Sequence, residues 1–294
     1  MIEKTNVLFS SLRGNLPFNL EIKAINTNYF LLFDCDNILY HLYILDYKEY
    51  NIFLELKKSK YIKESIFETK FNDTYLILYK LKLIKDKTIL ADRKISLLIC
   101  LFNDFSHSIK LSKSNSMLLK NQTTILNNKF SYYEMRIRNI EMKRIKNDFD
   151  WVILSKYHII LDTRLYLYDL LDDIFRYIDS ESEIKIGLIF KNPFLIYFEN
   201  DKIEPYMELY YGSLGMMLAR AYIEFGSINE NYFIEEIKKL NRIDKIYFLY
   251  STLYILILSF NFDIDEKIDL YLDITKMLHQ VIYNFGYITK ESFK

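Results

Sequence analysis

The chain has 294 residues, half of them hydrophobic, with 39 acidic and 39 basic side chains. That length suits one large domain or two small ones, and the apolar content calls for a buried core and excludes wholesale disorder. The balanced charge leaves no global basic field for a nucleic-acid backbone, so lysine clusters such as 57–63 read as a solvated face.

Aromatic residues are abundant, with 26 Tyr and 22 Phe against a single Trp, Trp151. Tyrosine serves cores, clefts and interfaces alike, so the count alone assigns no function. Cys35 and Cys100 both lie in apolar runs and read as buried free thiols. The N-terminus has an acid at Glu3 and no apolar core of a signal peptide. The longest apolar stretch, 246–260, is interrupted by Ser251 and Thr252 and is too short to span a bilayer. The expectation is a cytoplasmic protein.

Taken in chain order, residues 29–33 and 38–45 are short β-rich runs separated by the turn-forming sequence Asp34-Cys35-Asp36-Asn37. Residues 50–67 carry helix-like spacing through Phe53, Leu54, Leu56 and Tyr61. Residues 74–84 alternate as a half-buried strand, and the continuous apolar run 95–102 reads as a buried strand. Residues 103–129 are rich in Ser, Asn and Lys and read as a mobile loop. In residues 130–140, Glu134, Arg136 and Arg138 alternate with Tyr133, Met135 and Ile137, which predicts a strand with two arginines on one face.

The C-terminal half is mostly helical. Leu167, Leu170, Leu171, Ile174, Phe175 and Ile178 form one apolar stripe. Residues 184–190 and 194–198 read as a strand pair turned at Lys191-Asn192-Pro193, and helices follow over 214–225, 246–260 and 268–283. The fold class expected is α+β, a single domain with a strand-rich N-terminal half packed with a mainly helical C-terminal half.

Chemistry-bearing motifs are sparse. Six glycines leave little material for a phosphate cradle, and His41, His107, His158 and His279 never fall at metal-ligand spacing. Three local features stand out. Arg136-Ile137-Arg138, about 7 Å apart on a strand, can grip a carboxylate. The segment from Glu204 to Ser213 leads into a helix, with Gly212 free to turn and Ser213 as N-cap. His279, in phase with Ile268, Leu272, Thr275 and Ile282, can serve as a general acid or base on an inward helix edge. Each has an ordinary structural reading as well: a solvated strand edge, a loop-to-helix entry, a satisfied core histidine.

In order, these features resemble the small C-terminal-type domain of lantibiotic dehydratases and the stand-alone thiopeptide-type bacteriocin biosynthesis proteins. The likeness is carried by Tyr40-His41-Leu42-Tyr43-Ile44-Leu45 ahead of a helix, by Arg136-Ile137-Arg138, and by Tyr206, Glu208 and Tyr211-Gly212-Ser213. Phe225-Gly226-Ser227 and the stretch from His279 to Asn284 complete it. It covers about residues 25–290. The resemblance implies a pyridine synthase-like enzyme of peptide-antibiotic (RiPP) maturation, joining two dehydroalanines into a ring with release of the leader. Glutamate elimination from glutamylated Ser or Thr is the alternative lyase activity. It implies catalysis by His279, Tyr211 and Glu208, and substrate binding by Arg136, Arg138, Tyr206 and Tyr283. It implies no metal and no cofactor, with a precursor peptide as partner, no nucleic acid or membrane, and room for a homodimer.

Two readings of other classes stand beside it. One is a non-catalytic peptide-binding module. The other is a degenerate kinase-like fold, which the strand-rich and helical halves allow. Residues 187–198 contain no catalytic Asp and no Asp-Phe-Gly follows, so that reading predicts a pseudokinase-like scaffold.

Overall fold

The computed structural model describes residues 16, 20–25, 29–81, 87–190, 198–199, 201–204, 209–226, 229–259 and 268–286. The first half runs β1 (Glu21–Ile25), β2 (Tyr29–Phe33), β3 (Leu39–Leu45), α1 (Tyr47–Leu56), β4 (Phe67–Phe71), β5 (Thr74–Lys80) and α2 (Lys87–Phe105). Then come β6 (His107–Lys110), α3 (Lys113–Met142), α4 (Asp148–Asp179), β7 (Glu183–Phe190), β8 (Phe198–Glu199), β9 (Lys202–Ile203) and β10 (Leu209–Gly212). The chain finishes with α5 (Leu214–Phe225), α6 (Glu230–Lys239), α7 (Arg242–Ser259) and α8 (Ile268–Phe285). The α+β class holds, with strands concentrated in the first half and helices in the second. Two compact units share the chain: Met1–Asp104 with Phe194–Leu209, and Phe105–Pro193 with Tyr210–Lys294.

The N-terminal unit is built on a five-stranded sheet in the order β1-β2-β3-β5-β4, with antiparallel pairing throughout. Strand alternation sorts its side chains into two cores. Tyr40 and Leu42 of β3 join Leu32, Leu76 and Leu78 on one face. Tyr43 and Leu45 join Ile77, Tyr79 and Phe53 of α1 on the other. The β3–β5 register, Leu42 opposite Leu78 and Tyr43 opposite Ile77, keeps both faces aligned. A one-residue slip would exchange them.

Turn chemistry sets these strands. Asp34 Oδ1 accepts the backbone N–H groups of Asp36 and Ile38, and Asn37 adopts a left-handed φ of 58°. Cys35, at the tip of that turn, is exposed, which corrects its reading as a buried thiol. Helix α1 opens with a capping box between Asp46 and Glu49, whose two bonds are 2.8 and 2.9 Å.

The C-terminal unit holds a small sheet in the order β10-β7-β6 and the remaining helices. The stretch 103–129, expected as a mobile loop, is instead the end of α2, strand β6 and the first half of α3. Its buried residues explain the difference. Leu119, Leu126, Tyr133 and Ile140 recur every seven residues, with Phe130 and Ile137 between them. One narrow stripe suffices when a single face is covered, so the polar residues around it do not signal a loop. Residues 130–140 are helical for the same reason. Met135, which a strand would bury with Tyr133 and Ile137, is 53% exposed while they are 0% and 5% exposed. Helix α4 answers with Ile153, Ile160, Leu167 and Ile174, again seven apart, and packs against α3.

The apolar run 95–102 is also helical, as part of α2, with Ala91, Ile95, Leu98 and Phe102 buried. A short apolar run has no period that separates strand from helix. The predicted strand 194–198 and its turn lie almost wholly outside the described residues; Phe198–Glu199 does pair with Lys202–Ile203.

Helices α5 to α8 meet at an aromatic cluster. Tyr222 stands edge-on to Phe233, Phe248 and Phe285 at 5.3, 5.8 and 5.5 Å between ring centroids, and Phe248 and Phe285 are 5.2 Å apart. Such edge-to-face pairs contribute about 0.5–1.5 kcal/mol each beyond burial. Helices α5 and α7 approach so closely at Gly215 that a Cβ there would lie 1.9 Å from the backbone oxygen of Asp244. The Asp244 carboxylate, almost fully buried, accepts the Gly215 N–H at the start of α5, where Ser213 supplies the N-cap.

Candidate functional site

Strand β3 reads Leu-Tyr-His-Leu-Tyr-Ile-Leu, an apolar strand interrupted by His41. His41 projects to the same face as Tyr43, and both are buried. A buried imidazole needs a polar partner, and Glu204 provides one. His41 Nδ1 lies 2.8 Å from Glu204 Oε2, and the Tyr43 hydroxyl donates to the same oxygen at 3.4 Å. The Lys63 ammonium donates to Glu204 Oε1 at 3.1 Å and also to the carbonyl of Lys80.

Backbone pairing places Glu204. The Ile203 N–H donates to the carbonyl of Tyr61 at 2.7 Å, and the Lys63 N–H donates to the carbonyl of Ile203 at 2.8 Å. The Ile62–Ile203 pairing is a parallel bridge. Residues 61–63 and 202–204 are thus zipped together inside the N-terminal unit, which brings Lys63 and Glu204 to His41 and Tyr43 of β3. Tyr79 of β5 sits beside the cluster, 5.8 Å edge-on from Tyr43. Its hydroxyl is buried with no hydrogen-bond partner among the described residues. Burial, then the negative charges of Glu204 and Glu68, push that phenol far above its ordinary value, so it stays a neutral donor.

This constellation joins a carboxylate, an ammonium and an imidazole with almost no access to solvent: His41 is 0% and Glu204 1% exposed. It can hold charge and fix three chain segments. Among the described residues no group of His, Cys, Asp and Glu is arranged to hold a metal ion. No helix among them is long and apolar enough to cross a membrane.

The residues expected to act together do not meet in one pocket. Arg136 and Arg138 lie on helix α3, not on a strand, and Arg138 is exposed. His279 and Tyr283 are one turn apart on the outer face of α8, stacked on each other at 6.3 Å, with Tyr283 78% exposed. Tyr211, on β10, is 62% exposed and edge-on to His107. It lines a cavity in the C-terminal unit that takes in neither arginine, nor His279, nor Tyr283. Glu208 and Tyr206 fall outside the described residues. The helical phase that pointed His279 inward is off by one position: Leu278 is fully buried and His279 is not.

The buried cluster escaped the sequence reading because His41 and Glu204 are 163 positions apart and belong to no spaced motif. The usable signal was a histidine inside an otherwise apolar strand, which demands a distant partner.

No family model and no curated protein sequence matches the chain. Solved structures do. An aminoglycoside phosphotransferase from Alicyclobacillus acidocaldarius aligns over 92% of this chain and 93% of its own, at 10% identity and a TM-score of 0.59. A spectinomycin phosphotransferase in complex with ADP and spectinomycin aligns over 98% and 94%, at 13% identity and a TM-score of 0.40. A choline kinase from Streptococcus pneumoniae aligns over 94% and 98%, at 13% identity and 0.37. The first of these overturns the lantibiotic dehydratase and thiopeptide-type resemblance, and with it pyridine-ring formation and glutamate elimination. Of the described residues that suggested it, Tyr40–Leu45 form strand β3, whereas Arg136 and Arg138 lie on a helix where the resemblance implied a strand. What the chain shares with the Alicyclobacillus protein is its fold, that of an aminoglycoside phosphotransferase.

Proposed function

We propose that this is a phosphotransferase-fold protein that does not transfer phosphoryl groups and acts as a pseudokinase-like binding or scaffold protein. One observation carries the reading: β3 has no lysine, and its inward polar residue is His41, sealed against Glu204. Kinases of this general architecture place on β3 the lysine that pairs with nucleotide phosphates, and supply an aspartate as base and another as metal ligand. Here the one Asp between residues 183 and 212 is Asp201, exposed in the turn between β8 and β9 with a left-handed φ of 59°. Without those charges nothing offsets the repulsion of a polyphosphate or positions magnesium.

A working phosphotransferase is the second reading, favoured by a fold match that spans nearly the whole length of both chains. One assay separates them. The full chain is incubated with magnesium and ATP and, in turn, an aminoglycoside and choline, and the acceptor is examined by mass spectrometry. The expected result is no added phosphate. Enzyme-dependent phosphorylation of either acceptor establishes the second reading instead.

A further inference from the structure

The C-terminal unit holds a cavity of about 430 Å³, within the ordinary volume of small-molecule sites. Its sheet side is apolar. Ile109 of β6 stands directly opposite Ile184 of β7, and Ile186 follows two residues on along the same face. Helices α3, α5 and α7 supply the other walls. Leu118 and Tyr211 on its rim are 64% and 62% exposed, whereas Leu119, Ile184 and Tyr250 are buried. A small molecule can therefore enter from water and leave it behind.

Five of the described lining residues are tyrosines: Tyr210, Tyr211, Tyr247, Tyr250 and Tyr254. On α7, Tyr250 and Tyr254 are one turn apart with rings stacked at 5.6 Å between centroids, and Gln122 of α3 fixes the Tyr250 hydroxyl at 2.9 Å. This ring surface is held in place before a ligand arrives, which lowers the cost of binding. Burial, then the Asp244 carboxylate, push the Tyr247 phenol up to about 12, and burial raises Tyr254 as well, so these hydroxyls stay neutral near neutral pH. Arg220 of α5 also lines the cavity, but its guanidinium is already engaged. Its Nε donates to the Tyr210 hydroxyl, and it lies 5.1 Å over the Tyr210 ring. An anion entering here sheds its water against isoleucine and tyrosine and competes with those contacts; a neutral ring does neither.

We propose that this cavity binds a small neutral aromatic molecule, its ring packed between the sheet isoleucines and the Tyr250–Tyr254 pair. The site goes beyond the scaffold reading and stands apart from it, because His41, Lys63 and Glu204 belong to the N-terminal unit.

The test is calorimetric titration of the full chain with 2-naphthol, its saturated counterpart decahydro-2-naphthol, and 2-naphthoate. Saturable one-to-one binding of 2-naphthol is expected, about two- to tenfold tighter than the saturated compound, the difference that one aromatic pair makes. 2-Naphthoate is expected to bind more weakly than 2-naphthol. Tyr254→Leu, at a partly exposed position, should remove the preference for the aromatic compound. Ile255→Trp, at the next partly exposed position, should abolish binding by filling the cavity. Each variant carries the test should the other unfold, with circular dichroism and melting as folding controls. No saturable binding of 2-naphthol, equal or tighter binding of the saturated compound or of 2-naphthoate, a preference kept in Tyr254→Leu, or an affinity unchanged by Ile255→Trp overturns the proposal.

Discussion

Glu204 receives hydrogen bonds from His41, Tyr43 and Lys63, and it does so out of water. A buried ion pair of this kind gains little over a well-packed apolar substitute, yet breaking it by removing one partner leaves an uncompensated charge. Glu204→Gln should therefore destabilise the chain by about 3 kcal/mol, the lower end of the range for such pairs, because Lys63 keeps some contact with solvent. The readout is a lowered urea midpoint with an unchanged slope.

Two aspartates give opposite pH dependences. Burial works against ionisation of Asp150, but the hydrogen bonds that its carboxylate accepts from Lys143, at 2.7 Å, and from the backbone N–H of Asn147, at 3.1 Å, leave its carboxyl below the usual 3.8. A depressed folded-state value means that its stabilisation is present above pH 3.8 and is lost as pH falls through the lower folded value. For Asp244 burial wins over the hydrogen bonds from Gly215, Asn241 and Ser213, and the value is raised. Its contribution is fully present below pH 3.8 and is lost as pH rises through the raised value. Asp150→Asn should thus cost most at neutral pH and least below pH 3.8, while Asp244→Asn should compare better with the parent at neutral pH than in acid. Thermal melts across pH check both signs.

At the scale of elements, Gly215 sets how near α5 and α7 can lie. A methyl group there meets backbone, which cannot rotate away as a flexible side chain can. Gly215→Ala should cost about 1–3 kcal/mol or more by forcing the helices apart, read as a lower melting temperature. Leu126→Ala on α3, a fully buried position, should cost about 2–5 kcal/mol. Arg138→Ala, on the exposed side of the same helix, should stay within about 0.5 kcal/mol of the parent.

The same elements explain what could be read in advance. Helices 214–225 and 268–283 were legible because a wide apolar face repeats with helical period over several turns. The strands at 29–33 and 38–45 were legible because Asp34 and Asn37 punctuate them. Helix α3 was not, since its buried stripe is narrow and its flanks are rich in Asn, Ser and Lys. Within an eleven-residue window, Glu134, Arg136 and Arg138 alternate like a strand; only the sevenfold recurrence from Leu119 to Ile140 reveals the helix. The candidate cluster was hidden for another reason. His41 meets Glu204 through the return of residues 198–204 to the N-terminal unit, a pairing that local patterns do not encode.

At the scale of the molecule, one unit carries an antiparallel five-stranded sheet and the other a helical array with an aromatic centre. That arrangement matches a phosphotransferase in fold while its β3 position carries a sealed histidine. Fold alone does not confer activity; the site decides. The most direct measurement is phosphorus NMR of magnesium-bound ATP with a stoichiometric amount of the full chain, followed over hours. The account predicts unshifted nucleotide resonances and no growth of ADP. A shifted γ-phosphate signal together with steady ADP formation, lost in a purified chain carrying His41→Ala, would contradict it.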